Sequence, residues 1–211
     1  MAFGIVSRWR PFSGEAAEPP EAVPGQGEGQ DEVDAGFRPL EGPVPAGGLV
    51  GDRDPMLHDA PLPPWPGRSL DEIASELDGE CEWLVTNGVL PADLVTRNRR
   101  VAEAALRPWT PVFTHGDLQI AHVFVDGDEI TGVIDWSGAS QGDALHDLAI
   151  LTIGHEEHLG DVVAGYGAEV DLDVIRAWWS LRSLQAARWL IEHGFDPSSP
   201  GCEFDVLRSR M

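Results

Sequence analysis

The sequence predicts an α+β fold that is mainly helical, with one small β-hairpin in its middle. Three observations lead there. Apolar residues recur at helical spacing through most of the chain after residue 68. Two short β-prone runs flank the turn-forming Asp126-Gly127-Asp128. The composition also changes sharply near Gly67, which divides the chain into an arm, 1–67, and a folded body, 68–211.

The arm holds 12 of the 17 prolines and 11 of the 24 glycines, and its 11 acids face 4 arginines. Stretches such as Glu18-Pro19-Pro20-Glu21 and Gly25-Gln26-Gly27-Glu28-Gly29-Gln30 follow neither the helical nor the strand period. Such a segment buries too little apolar surface to offset ~1–2 kcal/mol of backbone entropy per residue. A disordered or loosely packed arm is expected, or one attached through Phe12, Phe37, Leu40 and Trp65.

In the body, Ser69 is placed to cap a first helix, with Asp71 and Glu72 in its first turn and Leu70, Ile73, Leu77 and Leu84 as its apolar stripe. Gly88 stops it. Pro91 opens a second helix through Leu94, Val95, Val101 and Leu106, closed by Pro108. Residues 111–114 are β-prone, and 123–125 and 130–134 form the hairpin. Helices follow over 147–153, 159–166 and 174–193, with Gly154, Gly167 and Gly194 at their ends.

Composition narrows the function. The 211 residues carry 36 acids against 14 bases, a formal charge of −22, and every base is Arg. A phosphate backbone would be repelled, so no nucleic acid partner is expected. No run approaches the ~18 apolar residues of a membrane span. Arg8 and Arg10 follow the short apolar start instead of preceding a longer one, so a secretory signal is not expected. Cys81 and Cys202 are too few for a disulfide framework. A cytoplasmic location is expected.

The chemistry concentrates between Thr114 and Asp147. Thr114-His115-Gly116-Asp117 ends a strand, and Val133-Ile134-Asp135-Trp136 ends the hairpin 18 residues later. A hairpin between two carboxylates can turn both toward one site. Asp117 could take a proton from a hydroxyl, and Asp135 could hold a hard cation such as Mg²⁺. His122 would lie near both. On spacing alone, either Asp could equally be an ordinary turn residue. His122 could also be a hairpin-start side chain packed on Trp136.

The run His115-Gly116-Asp117-Leu118-Gln119-Ile120-Ala121-His122-Val123-Phe124-Val125 resembles the catalytic loop of the aminoglycoside phosphotransferase family, whose fold is similar to that of protein kinases. Thr131-Gly132-Val133-Ile134-Asp135-Trp136 resembles its metal-binding element. Gly142-Asp143-Ala144-Leu145-His146-Asp147-Leu148-Ala149 resembles the element that follows. The three stand in the family's order, and the resemblance covers about 69–211, a kinase-like C-terminal lobe. It implies transfer of the γ-phosphate of a nucleoside triphosphate, ATP in this reading, to a hydroxyl of a small molecule. Asp117 would be the catalytic Asp, and Asp135 would chelate the Mg²⁺ that bridges the nucleotide phosphates. His122 stands where most of the family has a metal-binding Asn, so it is expected at the metal and nucleotide. His115 would brace the loop, Asp143 would cap a helix, and Asp147 would tie the loop to that helix through backbone N–H groups.

The family's strand-rich N-terminal lobe, with its phosphate-pairing Lys, is not recognisable upstream of Ser69, and the chain has no Lys. A second expectation therefore stays open: a truncated, catalytically inactive kinase-like remnant that binds a ligand or a partner protein. His155-Glu156-Glu157-His158 lacks the spacing of a zinc peptidase motif and reads as a solvated helix face. Trp178, Trp179 and Trp189 read as core, although the resemblance would also place this helix beside the acceptor pocket.

Overall fold

The computed structural model describes residues 38–39, 57–126 and 129–209. Six helices carry most of it: α1 (Leu70–Thr86), α2 (Ala92–Ala102), α3 (Ala144–Thr152), α4 (Leu159–Tyr166), α5 (Leu172–Glu192) and α6 (Glu203–Ser209). The strands are β1 (Arg38–Pro39), β2 (Val112–Thr114), β3 (Val123–Asp126), β4 (Glu129–Val133) and β5 (Ser140–Gly142). β1, β3 and β4 form one antiparallel sheet, and β2 pairs with β5 in another.

Local chemistry sets most helix ends. The Ser69 hydroxyl accepts from the Glu72 N–H at 3.2 Å while the Glu72 carboxylate accepts from the Ser69 N–H at 2.8 Å, a reciprocal cap that starts α1. Gly88 follows α1 at φ +65°, a conformation that costs other residues steric strain. Pro91 precedes α2, and a short 3-10 turn, Glu103–Ala105, extends it toward Leu106. Asp143 caps α3 by accepting from the Leu145 N–H, and Asp171 caps α5 by accepting from Asp173 and Val174.

The core forms around α5, which packs against α1, α2, α3 and α6. Twelve of its 21 residues are buried, so it is enclosed on several faces and carries no single apolar stripe. Leu77, Leu84, Ile175, Trp179, Leu184 and Leu207 meet there, all nearly inaccessible to solvent. Each such side chain is worth about 1.5–3 kcal/mol of burial. Two buried polar side chains pair across the same interface. Asn98 of α2 donates to the carbonyl of Leu207 in α6 at 2.9 Å, and Ser180 of α5 donates to Asn98 at 3.0 Å.

The described elements differ from the expected ones at four places. Strand β5 has no hydrophobic alternation; it forms because β2 offers it an antiparallel partner, Phe113 opposite Gln141. Helix α6 is only seven residues long and draws its stability from packing on α5, not from length. Trp178 and Trp179 are core, whereas Trp189 is 53% exposed. Finally, residues 57–67 lie against the body. The Trp65 indole donates to the Ala139 carbonyl at 2.7 Å, and Gln141 donates to the Pro63 carbonyl at 2.9 Å. Side-chain bonds to backbone substitute here for the apolar content that the segment lacks. Residues Phe12, Phe37 and Leu40, and the Gly127-Asp128 turn, lie outside the described residues.

Candidate active site

The strand-to-loop step after β2 carries Asp117, and the loop after β4 carries Asp135. Two contacts bring these loops together. Gly116 stands at φ +82° with its Cα facing the Gly138 carbonyl, where an added methyl would collide. The buried His115 imidazole donates from Nε2 to the Ile134 carbonyl at 2.9 Å, one residue before Asp135. Its Nδ1 accepts from the Asp117 N–H at 3.3 Å, and its ring packs on Trp136 with centroids 4.7 Å apart. The ring on Trp136 is therefore that of His115; His122 lies beyond it, 6.0 Å from His115 between centroids.

Asp147 anchors the loop from the α3 side. Its carboxylate accepts from the His115 N–H at 2.7 Å and the Gly116 N–H at 2.9 Å. It also meets His58 Nε2 at 3.2 Å, while His58 Nδ1 meets the Tyr166 hydroxyl at 3.0 Å. Burial by itself would push the Asp147 carboxyl up. The bonds from His58, His115 and Gly116 and the nearby His146 outweigh it and hold the group below the ordinary Asp value. Asp143, besides capping α3, accepts from the Trp178 indole at 3.0 Å and lies 3.4 Å from Arg107.

Asp117, His122 and Asp135 converge, each offering a ligand atom within 4.8 Å of the others'. The His122 Nδ1–H donates to the Asp117 carbonyl at 2.8 Å, which leaves the Nε2 lone pair facing Asp135 Oδ2, 3.8 Å away. The Ser137 hydroxyl donates to Asp135 at 2.7 Å and is the main cause of a lowered Asp135 pKa, to which His122 also contributes. Asp135 is half-exposed and adopts φ +61°, the only non-glycine with positive φ among the described residues. Such backbone strain, on the order of 1–3 kcal/mol, gathers at functional sites. The Asp135 carboxylate and the His122 lone pair, held by neighbours and open to solvent, fit a divalent cation, with the Asp117 carboxylate alongside.

Sequence reasoning missed three groups around this cluster. The Gln119 amide donates to both Asp117 carboxylate oxygens, at 3.1 and 3.0 Å. Arg182 of α5 lies 3.6 Å from Asp117. His58 stands in the segment set aside by composition. Gln119, two residues from Asp117, could have been suspected from the motif; the other two meet the site only through the fold. His155 and His158 lie side by side on a separate turn and, contrary to the solvated face expected, both are largely buried, because the turn packs against the body ahead of α4.

Comparison with known proteins follows this geometry. A family model described as a phosphotransferase enzyme family matches residues 47–188, which begins inside the segment that composition had separated. No curated protein matches the chain. Among solved structures, a macrolide 2'-phosphotransferase type I is 22% identical with a TM-score of 0.52, over 73% of this chain and 53% of that one. A choline/ethanolamine kinase family protein from Mesorhizobium loti is 19% identical with a TM-score of 0.54, over 74% and 58%. A spectinomycin phosphotransferase, solved with ADP and spectinomycin, is 13% identical with a TM-score of 0.51, over 73% and 61%. At these identities the likeness establishes a kinase-like fold. The chain spans between 53% and 61% of the length of these three structures.

Proposed function

Because this chain belongs to the phosphotransferase enzyme family, we propose that it transfers the γ-phosphoryl group of a nucleoside triphosphate, ATP in our reading, to a hydroxyl of a small molecule. The observation that carries the proposal is the convergence of Asp117, His122 and Asp135 at the mouth of a cleft, with Asp117 gripped by Gln119.

In this reaction the acceptor oxygen bonds to the γ-phosphorus while the bond from that phosphorus to the bridging oxygen breaks. The nucleoside diphosphate leaves. The hydroxyl proton passes to the Asp117 carboxylate, which Gln119 and Arg182 hold in position. Such transfer depends mainly on positioning and charge neutralisation. Asp135 and His122 would hold Mg²⁺, which when bound neutralises charge on the phosphate oxygens. Asp147 and His115 keep the two loops in register, one through backbone N–H groups and the other through the Ile134 carbonyl.

One observation favours a second reading, a binding module without turnover: the chain has no lysine to meet a phosphate. A pair of measurements separates the two. Calorimetric titration with Mg²⁺ and ATP should show binding that Asp135→Ala removes. Asp117→Ala should keep that binding and lose at least about 10²-fold in turnover, the usual contribution of a positioned acid or base. Turnover retained in Asp117→Ala would overturn the proposal. Nucleotide binding by the wild type with no turnover against any acceptor would favour the binding module.

A further inference from the structure

A second cavity, of about 430 Å³, opens beside the cleft that holds Asp117. That size suits a small molecule. It lies between the stretch 66–68, the start of α1, the loop 137–142 and α3. Part of its lining is bare backbone, at Gly67, Gly138 and Gly142. Gly67 has no alternative, since a methyl there would collide with the Gln141 carbonyl. Another part is aromatic. Trp109 and Trp178 meet edge to face with centroids 6.2 Å apart, and the His146 ring meets Trp178 in the same way at 4.8 Å. Ile73 adjoins this corner.

The two cavities share a boundary. Arg68, Gly116 and His146 line both, whereas Asp117, His122 and Asp135 line only the cleft. A molecule in the second cavity therefore sits next to the loop of Asp117 without occupying the metal cluster.

The charged groups of the second lining are already matched. Arg68 pairs with Glu76, and the Glu72 carboxylate accepts from the Ser69 N–H and hydroxyl. Asp143 accepts from the Leu145 N–H and the Trp178 indole and has Arg107 3.4 Å away. A charged occupant would lose hydration on entry and meet no free counter-charge among the described residues. The imidazole of His146 is different. Neither of its nitrogens takes part in a hydrogen bond among the described residues. Burial lowers its pKa to about 4, so at neutral pH the ring is uncharged and offers one N–H and one lone pair. A carboxamide complements that ring whichever nitrogen carries the proton, because its carbonyl accepts and its NH₂ donates. A flat ring on the amide suits the tryptophan corner.

We propose that this cavity is a second ligand site, for an uncharged aromatic carboxamide, beside the loop of Asp117 and separate from the metal cluster. The amide bonds to His146, and the ring packs against Trp109 and Ile73.

The test is an NMR titration of the full chain, isotope-labelled at its indole nitrogens. The Trp109 signal is identified by its loss in Trp109→Phe. Three probes are compared: 2-naphthamide, its anionic counterpart 2-naphthoate and its cationic counterpart 2-naphthylmethylamine. 2-Naphthamide should shift the Trp109 signal to saturation and bind at least about fivefold more tightly than either charged probe. His146→Phe keeps a ring against Trp178 but removes both nitrogens. It should weaken 2-naphthamide at least about fivefold, the usual worth of one hydrogen bond. His146→Gln, which again offers a donor and an acceptor, should recover part of that loss. Asp135→Ala, across the boundary in the cleft, should leave the affinity unchanged. No shift at Trp109, a charged probe binding as tightly, or an affinity unmoved in His146→Phe would overturn the proposal. So would a shift at Trp189 in place of Trp109, since Trp189 lines the cleft and not this cavity. Should His146→Phe fail to fold, the ranking of the three probes on the wild type and the tryptophan that shifts still decide.

Discussion

Asp147 holds the backbone of the loop that carries Asp117, and His58 is its side-chain partner from outside the three sequence motifs. With Nε2–H donated to Asp147 and Nδ1 accepting from Tyr166, a neutral imidazole satisfies all three groups. His58→Ala leaves a buried carboxylate one bond short, and the expected loss of stability is about 1–3 kcal/mol by urea unfolding. The larger effect should fall on kcat, with KM for the nucleotide little changed, because the loop is displaced while Asp135 is not. His58→Gln, which can still donate, should recover part of both. If His58→Ala changes neither stability nor kcat, the contact does not position the loop. Gln119 plays the parallel part for Asp117, and Ser137 for Asp135, so each acid of the cluster has a short-range partner.

At the scale of elements, the site depends on how closely two loops approach. Gly116 and Gly138 face each other backbone to backbone, and Asp135 accepts left-handed geometry so that its carboxylate faces His122. Gly116→Ala adds a methyl in a left-handed conformation, at about 1–2 kcal/mol, before the collision with the Gly138 carbonyl is counted. The variant should melt at a lower temperature and lose Mg²⁺–ATP affinity, since the loop carrying Asp135 must move away. An unchanged melting temperature would show that the loops tolerate separation. The hairpin β3–β4 sets the span between the two acids, and a bulge between Phe124 and Val125 adjusts its register before the chain reaches Asp126.

For the whole molecule, acid should be destabilising earlier than carboxylate titration alone would require. His146 of α3 packs edge-on against Trp178, its ring 4.8 Å from the indole. Burial lowers its pKa to about 4; Arg182 and Arg68 add to this, while Asp147 and Asp143 oppose it. The ordinary histidine value is ~6.5. Between those values the unfolded chain binds the proton and the folded chain does not, so stability rises with pH through the window and falls on acidification. Asp147 acts further down: its lowered pKa gives stability that is present above its unfolded value and lost as pH falls through the folded one. The melting temperature should therefore decline from pH 7 toward pH 5, and His146→Gln should flatten that decline. An equal slope in the variant would remove His146 as its source.

Much of this was legible in the sequence because it is local. The cap at Ser69 and the glycines at helix ends act within a few residues. The order of the three motifs identified Asp117, His122 and Asp135, whose side chains the structure brings together. The seating of 57–67 was not legible, because its contacts are hydrogen bonds to distant backbone and not a local apolar pattern. His58 meets Asp147 across 89 positions of sequence, and Gln141 meets Pro63 across 78. Nor could periodicity tell that Trp189 faces a cleft while Trp178 and Trp179, on the same helix, are enclosed. The sequence by itself singled out Asp117, His122 and Asp135 and most of the helical segments, since spacing and capping are short-range. Only the tertiary structure decided what grips each acid and which residues line the cleft beside them, because each of those depends on which remote segments share a face.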